Sequence, residues 1–255
     1  MKNLRNAEMS YPTWTLFEKL IEEASDPDYP AKHFGTKPLI NGKHLVRVNA
    51  TPDLKCIIGS GNYIGIDVPV LLKPKGNVNK GTIIIVGEST KRKINVFNKP
   101  NDILLGIPYA VVLGMGSPSQ CDVYKKIFEG LLAEGYSIYL TDVIKIWWKG
   151  RKMTVSKDEE DLLKDEIKVI NNSAKIVSWG KTASDLLRKI GYKGFLPQLH
   201  PGKNNRSNWK RKIFEKAVYG NNVNYAKKLY PNPGDKTTDD IVANEAINEI
   251  LDFIS

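Results

Sequence analysis

The chain has few cysteines and histidines, two and three in 255 residues. Cys56 and Cys121 cannot supply the four thiolates of an iron–sulfur cluster or an all-cysteine zinc site, and they are too few for a disulfide framework. They read as reduced thiols of a cytoplasmic protein. His33 and His44 have no second His or Cys at metal-ligand spacing, so they read as surface or structural histidines, and no metal or cofactor is expected. Long hydrophobic runs are missing as well. The most apolar piece, 103–115, is interrupted by Gly106, Pro108 and Gly114 and falls short of the about 20 apolar residues that span a bilayer. Residues 1–8 carry no apolar h-region, which argues against a signal peptide. Acid is also in short supply. Asp+Glu number 28 against 38 Lys+Arg, a net charge of +10 that favours a polyanionic partner. The 41% of hydrophobic residues suffices for a substantial core.

Those apolar residues fall into a repeating order. After an amphipathic helix over 13–24, stopped by Asp26-Pro27-Asp28-Tyr29-Pro30, the stretch 38–80 is rich in Gly, Pro and Asn and reads as turns and short strands. From Gly81 the character changes. Thr82-Ile83-Ile84-Ile85-Val86 is a β-branched run, the pattern of a strand covered on both faces. Strands at 137–141, 175–179 and 195–199 follow. Helices are predicted over 120–134, from the Ser156/Glu159 capping box to about Ile170, and over 182–189 and 207–219. The alternation predicts an α/β fold with a mostly parallel central sheet of about four strands. Residues 1–80 read as an N-terminal extension packed on a core of 81–222. Residues 223–255 read as a C-terminal extension whose amphipathic helix, 239–254, packs on the same compact unit.

Parallel sheets bind ligands at the carboxyl ends of their strands. The residues expected there are Glu88 and Ser89, Asp142, Gly180 and Lys181, and His200. The flanking loops are basic and aromatic: Lys91-Arg92-Lys93, 145–152 with Lys145, Trp147 and Trp148, and 203–212 with Lys203, Lys210 and Trp209. Such loops suit a nucleic-acid strand, because cations meet phosphates while rings stack on bases. Two apparent motifs are decoys. Gly180-Lys181-Thr182 lacks the Gly that a phosphate-binding P-loop needs at position 175, and Gly114-Met115-Gly116 lacks the third Gly of a dinucleotide fingerprint.

From about Gly81 to Tyr219 the chain resembles the uracil-DNA glycosylase superfamily. The resemblance rests on five pieces in the same order: Val86-Gly87-Glu88-Ser89-Thr90, Gly106-Ile107-Pro108-Tyr109, Leu140-Thr141-Asp142-Val143, a helix and strand ending at Gly180, and Leu199-His200-Pro201-Gly202 with Asn205-Arg206 beyond. It implies a three-layer α/β/α sandwich and a DNA-repair enzyme that hydrolyses the N-glycosidic bond of a flipped-out base. His200 would stabilise the leaving base, and Glu88 with Ser89 would position water and balance charge on the sugar. Gly87 and Asp142 would border the base, and Tyr109 would stack on it. Asn205 or Arg206 would fill the gap in the duplex. Lys203 and Lys210 would hold phosphates, and Lys145, Gly180, Lys181 and Ser207 would also contact DNA. Asp142 stands where the family carries Asn. A carboxylate only accepts hydrogen bonds, which suits an amino-bearing base better than uracil. Gly202 replaces the usual Ser. The expected partner is single- or double-stranded DNA, with the protein a monomer and no membrane, metal or iron–sulfur cluster involved. Two alternatives stay open: a catalytically inactive nucleic-acid-binding member of the fold, and a nucleoside- or nucleotide-processing enzyme.

Overall fold

The computed structural model describes residues 7–18, 45–46, 64–76, 79–89, 103–109, 122–148, 151, 154–170, 173–220, 223–229 and 236–255. His33, His44, both cysteines, Thr90, Lys91-Arg92-Lys93, Gly114-Met115-Gly116 and the break at 230–234 lie outside them, as does the second half of the helix expected over 13–24. Its first half is α1, Trp14–Glu18.

The protein is mixed α/β, with helices around a mostly parallel central sheet. That sheet has six strands. Four run parallel, in the order β7 (Ser137–Ile144), β5 (Thr82–Ser89), β9 (Lys175–Trp179), β10 (Phe195–Gln198). The expected number of about four therefore covers only the parallel part. Two antiparallel strands from the N-terminal extension, β4 (Val70–Pro74) and β1 (Ala7–Ser10), continue the sheet beyond β7. They join because Val70 and Leu72 alternate inward against the core and need β7 as their hydrogen-bonding neighbour. A second sheet has the order β2 (Leu45–Val46), β6 (Ile103–Gly106), β3 (Ile64–Asp67), β8 (Ile146–Trp148).

The all-apolar runs are strands because both of their faces are covered. Ile83, Ile85, Ile138, Leu140, Val177 and Trp179 point into one core. There they meet α2 (Asp122–Ala133) and α7 (Asp239–Ile254). The intervening Ile84, Val86, Tyr139 and Ile176 point into another, with α3 (Lys157–Ile170) and α4 (Lys181–Lys189). Period-2 alternation thus feeds two cores from the same strands. α3 starts on a reciprocal capping box. The Glu159 N–H donates to Ser156 Oγ at 3.2 Å, and the Ser156 N–H to Glu159 Oε2 at 3.0 Å. After β10 the chain makes one 3₁₀ turn, then α5 (Arg206–Tyr219) and α6 (Val223–Leu229).

Candidate functional site

β5 lies between β7 and β9, so the chain leaves it first to one side and later returns on the other. The carboxyl ends of β5 and β9 therefore flank a switch point, where parallel α/β sheets open a crevice. The expected residues gather around this end. They are not loop residues throughout, however. β5 runs on to Ser89 and β7 to Ile144, with Gly87 paired to Asp142 and Ser89 to Ile144. Glu88, Ser89 and Asp142 are strand residues because the two strands stay in register for three residues beyond their apolar runs.

Gly87 is the close-approach point. An ideal Cβ there would lie 2.3 Å from Asp142 Oδ1 and 2.6 Å from the Tyr109 hydroxyl. Glycine thus lets the Asp142 carboxylate and the Tyr109 phenol press on one spot of the β5 backbone. Tyr109 has φ 57°, in the left-handed region, a strain of order 1–3 kcal/mol for a bulky residue. Burial first, and then the Asp142 carboxylate and Tyr124, hold its hydroxyl well above the ordinary tyrosine range, so it stays protonated. Glu88 is exposed, and the Ser89 Oγ is shielded with no hydrogen-bond partner among the described residues.

His200 is held from several directions. The Gly202 N–H donates to its Nδ1 at 3.1 Å. Its carbonyl accepts from Asn205 Nδ2 at 3.0 Å and from the Trp209 indole N–H at 3.3 Å. Burial pushes the imidazole below its ordinary pKa, and the Glu88 charge offsets part of that. The neutral ring with Nδ1 accepting carries its proton on Nε2, which makes Nε2–H a fixed donor. Pro201 is buried beside it. The φ of 94° at Gly180 turns the chain from β9 into α4 and leaves its Cα face open toward the His200 Cβ.

Several expected DNA contacts take other roles. Lys145 does not reach phosphate: its ammonium is fully buried, paired with Glu166 Oε1 at 2.9 Å and donating to Thr141 Oγ1 and the Asp142 carbonyl, each at 2.6 Å. The charge goes inward because Glu166, on α3, supplies the only kind of partner that offsets its desolvation. Arg206, expected as a probing tip, pairs here with Asp239 at the start of α7. Asn205 spends its amide on the His200 carbonyl rather than projecting into a duplex. Trp209 is a core residue, fully buried, and Trp147 and Trp148 are strand residues of β8. Ser207 and Lys181 are exposed and Lys210 is half-buried, while Lys203 lies in the 3₁₀ turn.

Sequence reasoning missed the aromatic cluster that links these parts. Tyr124 of α2 stands between Tyr109 and His200, with ring centroids 5.3 and 5.7 Å away and its hydroxyl 3.4 Å from His200 Nδ1. Trp179, at the end of β9, sets its edge against Tyr109 at 5.5 Å and against His200 at 6.2 Å. Phe128 stacks on Trp179 at 6.0 Å. Tyr124 and Phe128 are spaced i, i+4 on a predicted helix, a signal for a shared aromatic face. An open cleft of about 550 Å³ lies beside this cluster, between α4 and α5, and its lining includes Gly180 and Leu199. It does not lie among Glu88, Tyr109, Asp142 and His200. Among the described residues no group of three or more His, Cys, Asp or Glu could hold a metal ion, and no helix is long and apolar enough to cross a membrane.

Fold and site together define an α/β protein with a half-buried histidine, a buried aspartate and an aromatic cluster at the carboxyl end of its parallel strands. No family model, curated protein or solved structure matches the chain.

Proposed function

We propose that the protein is a DNA glycosylase-like hydrolase on a three-layer α/β/α sandwich, cleaving the N-glycosidic bond of a base turned out of its stack. The observation that carries this reading is the His200 donor. Bond cleavage sends the electron pair onto the leaving base, and a preorganised Nε2–H beside a base carbonyl stabilises that anion without reorganisation. Water adds at the sugar C1′, and the exposed Glu88 carboxylate balances the oxocarbenium charge and takes the water proton. The base leaves as an anion and is protonated by solvent. Asp142, as an acceptor, favours a base with an exocyclic amino group over uracil. The test is incubation of single- and double-stranded DNA carrying uracil, hypoxanthine, xanthine or mismatched cytosine or adenine, with abasic sites revealed by alkaline cleavage. Product on at least one substrate that disappears in His200→Ala supports the reading. No product above that variant on any of them refutes it.

A second reading is favoured by a specific observation. Tyr124 occupies the space between Tyr109 and His200, and the cleft lies beside the proposed base site. A non-catalytic nucleic-acid-binding protein would keep this arrangement and show salt-dependent DNA binding with no abasic product.

A further inference from the structure

We infer that the cleft between α4 and α5 is a binding groove for the phosphate backbone of a single-stranded nucleic acid. The inference rests on the nucleic-acid part of the reading above and holds for either of its forms. β10 is the outer strand of the central sheet and floors the groove. One wall is the α4 face carrying Lys181 and Arg188. The other is the α5 face carrying Arg211 and Lys212, with Glu215 the single acid in the lining. Arg188 and Arg211 are more than half exposed; among the described residues the acids they meet belong to their own helices, Asp185 at 3.0 Å and Glu215 at 3.9 Å, and Arg188 also lies over the Phe195 ring at 5.6 Å. Exposed pairs of this kind are weak, so a phosphate displaces them at little cost. Lys212 is shared with Glu249 at 2.6 Å and adds less.

The floor decides between a peptide and a nucleic acid. Gln198 directs its carbonyl inward to Gly180, so Pro197, one residue earlier, faces the open edge. Proline has no N–H, and an added peptide strand would lose a ladder bond there. The edge is thus guarded against β-strand addition while the walls remain cationic. The cleft is open along its length and has a volume of about 550 Å³. From Lys181 to Arg188 the α4 wall runs about 10 Å, room for about three phosphates of a stacked strand. Phe214 lies three residues after Arg211 on α5 and is 50% exposed, a ring available to stack on a base. Gly180 and Leu199 line the groove and adjoin His200, so a strand presenting a nucleotide at His200 continues into it.

The experiment is a fluorescence-anisotropy titration of the full chain with a labelled oligothymidylate of about twenty nucleotides, at salt from about 50 to 200 mM. The Arg188→Glu/Arg211→Glu double variant is expected to bind at least about tenfold more weakly, with a log–log salt slope shallower by about 1.4, the equivalent of two lost phosphate contacts. Thermal melts check that it stays folded. Lys168→Glu, an exposed reversal on α3, serves as the charge control and should change affinity less than about twofold. Wild-type affinity in the groove variant overturns the inference, as does an equal loss in the control. Displacement of the oligonucleotide by a polyglutamate peptide of equal charge overturns the nucleic-acid assignment. The probe carries no base to be excised, so failure of the cleavage assay leaves this result standing, and failure here leaves the cleavage assay standing.

Discussion

At the level of single residues the site depends on two glycines and a histidine tautomer. Gly202 supplies the N–H that holds His200 Nδ1 as an acceptor, and it leaves no room for a side chain. An ideal Cβ at 202 would lie 2.9 Å from His200 Nδ1 and 3.0 Å from the Tyr124 hydroxyl. The glycosylases that the sequence resembles carry Ser at this position, whereas here the Tyr124 hydroxyl takes up the space. Gly202→Ser is therefore expected to damage the site rather than restore it. The new Cβ pushes the imidazole or the phenol aside, and a misplacement approaching 1 Å costs on the order of 100-fold in rate. Stability should fall by only about 1 kcal/mol, because Gly202 is half-buried and the loop can adjust. Cleavage kinetics beside a thermal melt separate the two effects. A variant as active as the wild type would show that Tyr124 and His200 are not packed as described.

At the level of elements, one carboxylate organises the turn beneath Asp142. Glu159 accepts from the backbone N–H groups of Lys145, Ile146 and Ser156, from Ser156 Oγ and from Arg151. It caps α3 and fixes the β7–β8 turn at once. Burial alone would raise its pKa, but the Arg151 guanidinium and the backbone N–H groups outweigh that and hold it below the ordinary carboxylate value. A depressed folded pKa gives stability that is complete above the unfolded value, near 4.5, and is lost as pH falls through the folded one. Glu159→Gln should cost about 3 kcal/mol at neutral pH, because Arg151 is left as a buried charge. The gap to wild type in urea melts should narrow toward pH 3. A gap that does not change with pH would remove Glu159 as the ionised partner. Elements of this kind were legible where local chemistry dictates them: the Ser156/Glu159 spacing announced the cap, and β-branched runs ending at glycine announced β5 and β9. The short strands β6 and β8 were not, and β3 fell in a stretch read only broadly as turns and short strands, since a run such as Ile146–Trp148 becomes a strand only by pairing with a segment distant in sequence. Lys145 misled for the same reason. In a basic stretch a lysine reads as solvated, and its partner Glu166 comes near only after folding.

At the level of the whole molecule, α7 joins parts that the sequence order keeps separate. It buries Val242, Ala243, Ala246 and Ile250 in the core that also holds α2. An ideal Cβ on Gly130 of α2 would lie 2.5 Å from Ile247 Cδ1, so glycine permits the close crossing of the two helices. Its polar residues reach three other elements: Asp240 meets Lys126 of α2 at 2.5 Å, Glu245 meets Lys216 of α5 at 2.8 Å, and the Ala246 carbonyl accepts from Gln198 of β10 at 3.1 Å. Asp239 also anchors Arg206, directly after the 3₁₀ turn that follows His200. The helix thus closes one face of the sheet and braces the site from behind, which argues for packing over partner capture. Ile250→Ala should then cost about 2–5 kcal/mol, the range for emptying a filled core position. Val169→Ala, at a position 53% exposed on α3, should stay within about 0.5 kcal/mol of wild type. Deleting 236–255 should abolish cooperative unfolding, because it uncovers the apolar face of α2 and leaves Arg206 without its acid. Thermal and urea melts of the three proteins decide it. If Ile250→Ala and the deletion both unfold like wild type, α7 does not belong to the folded core, and its apolar face exists for another partner.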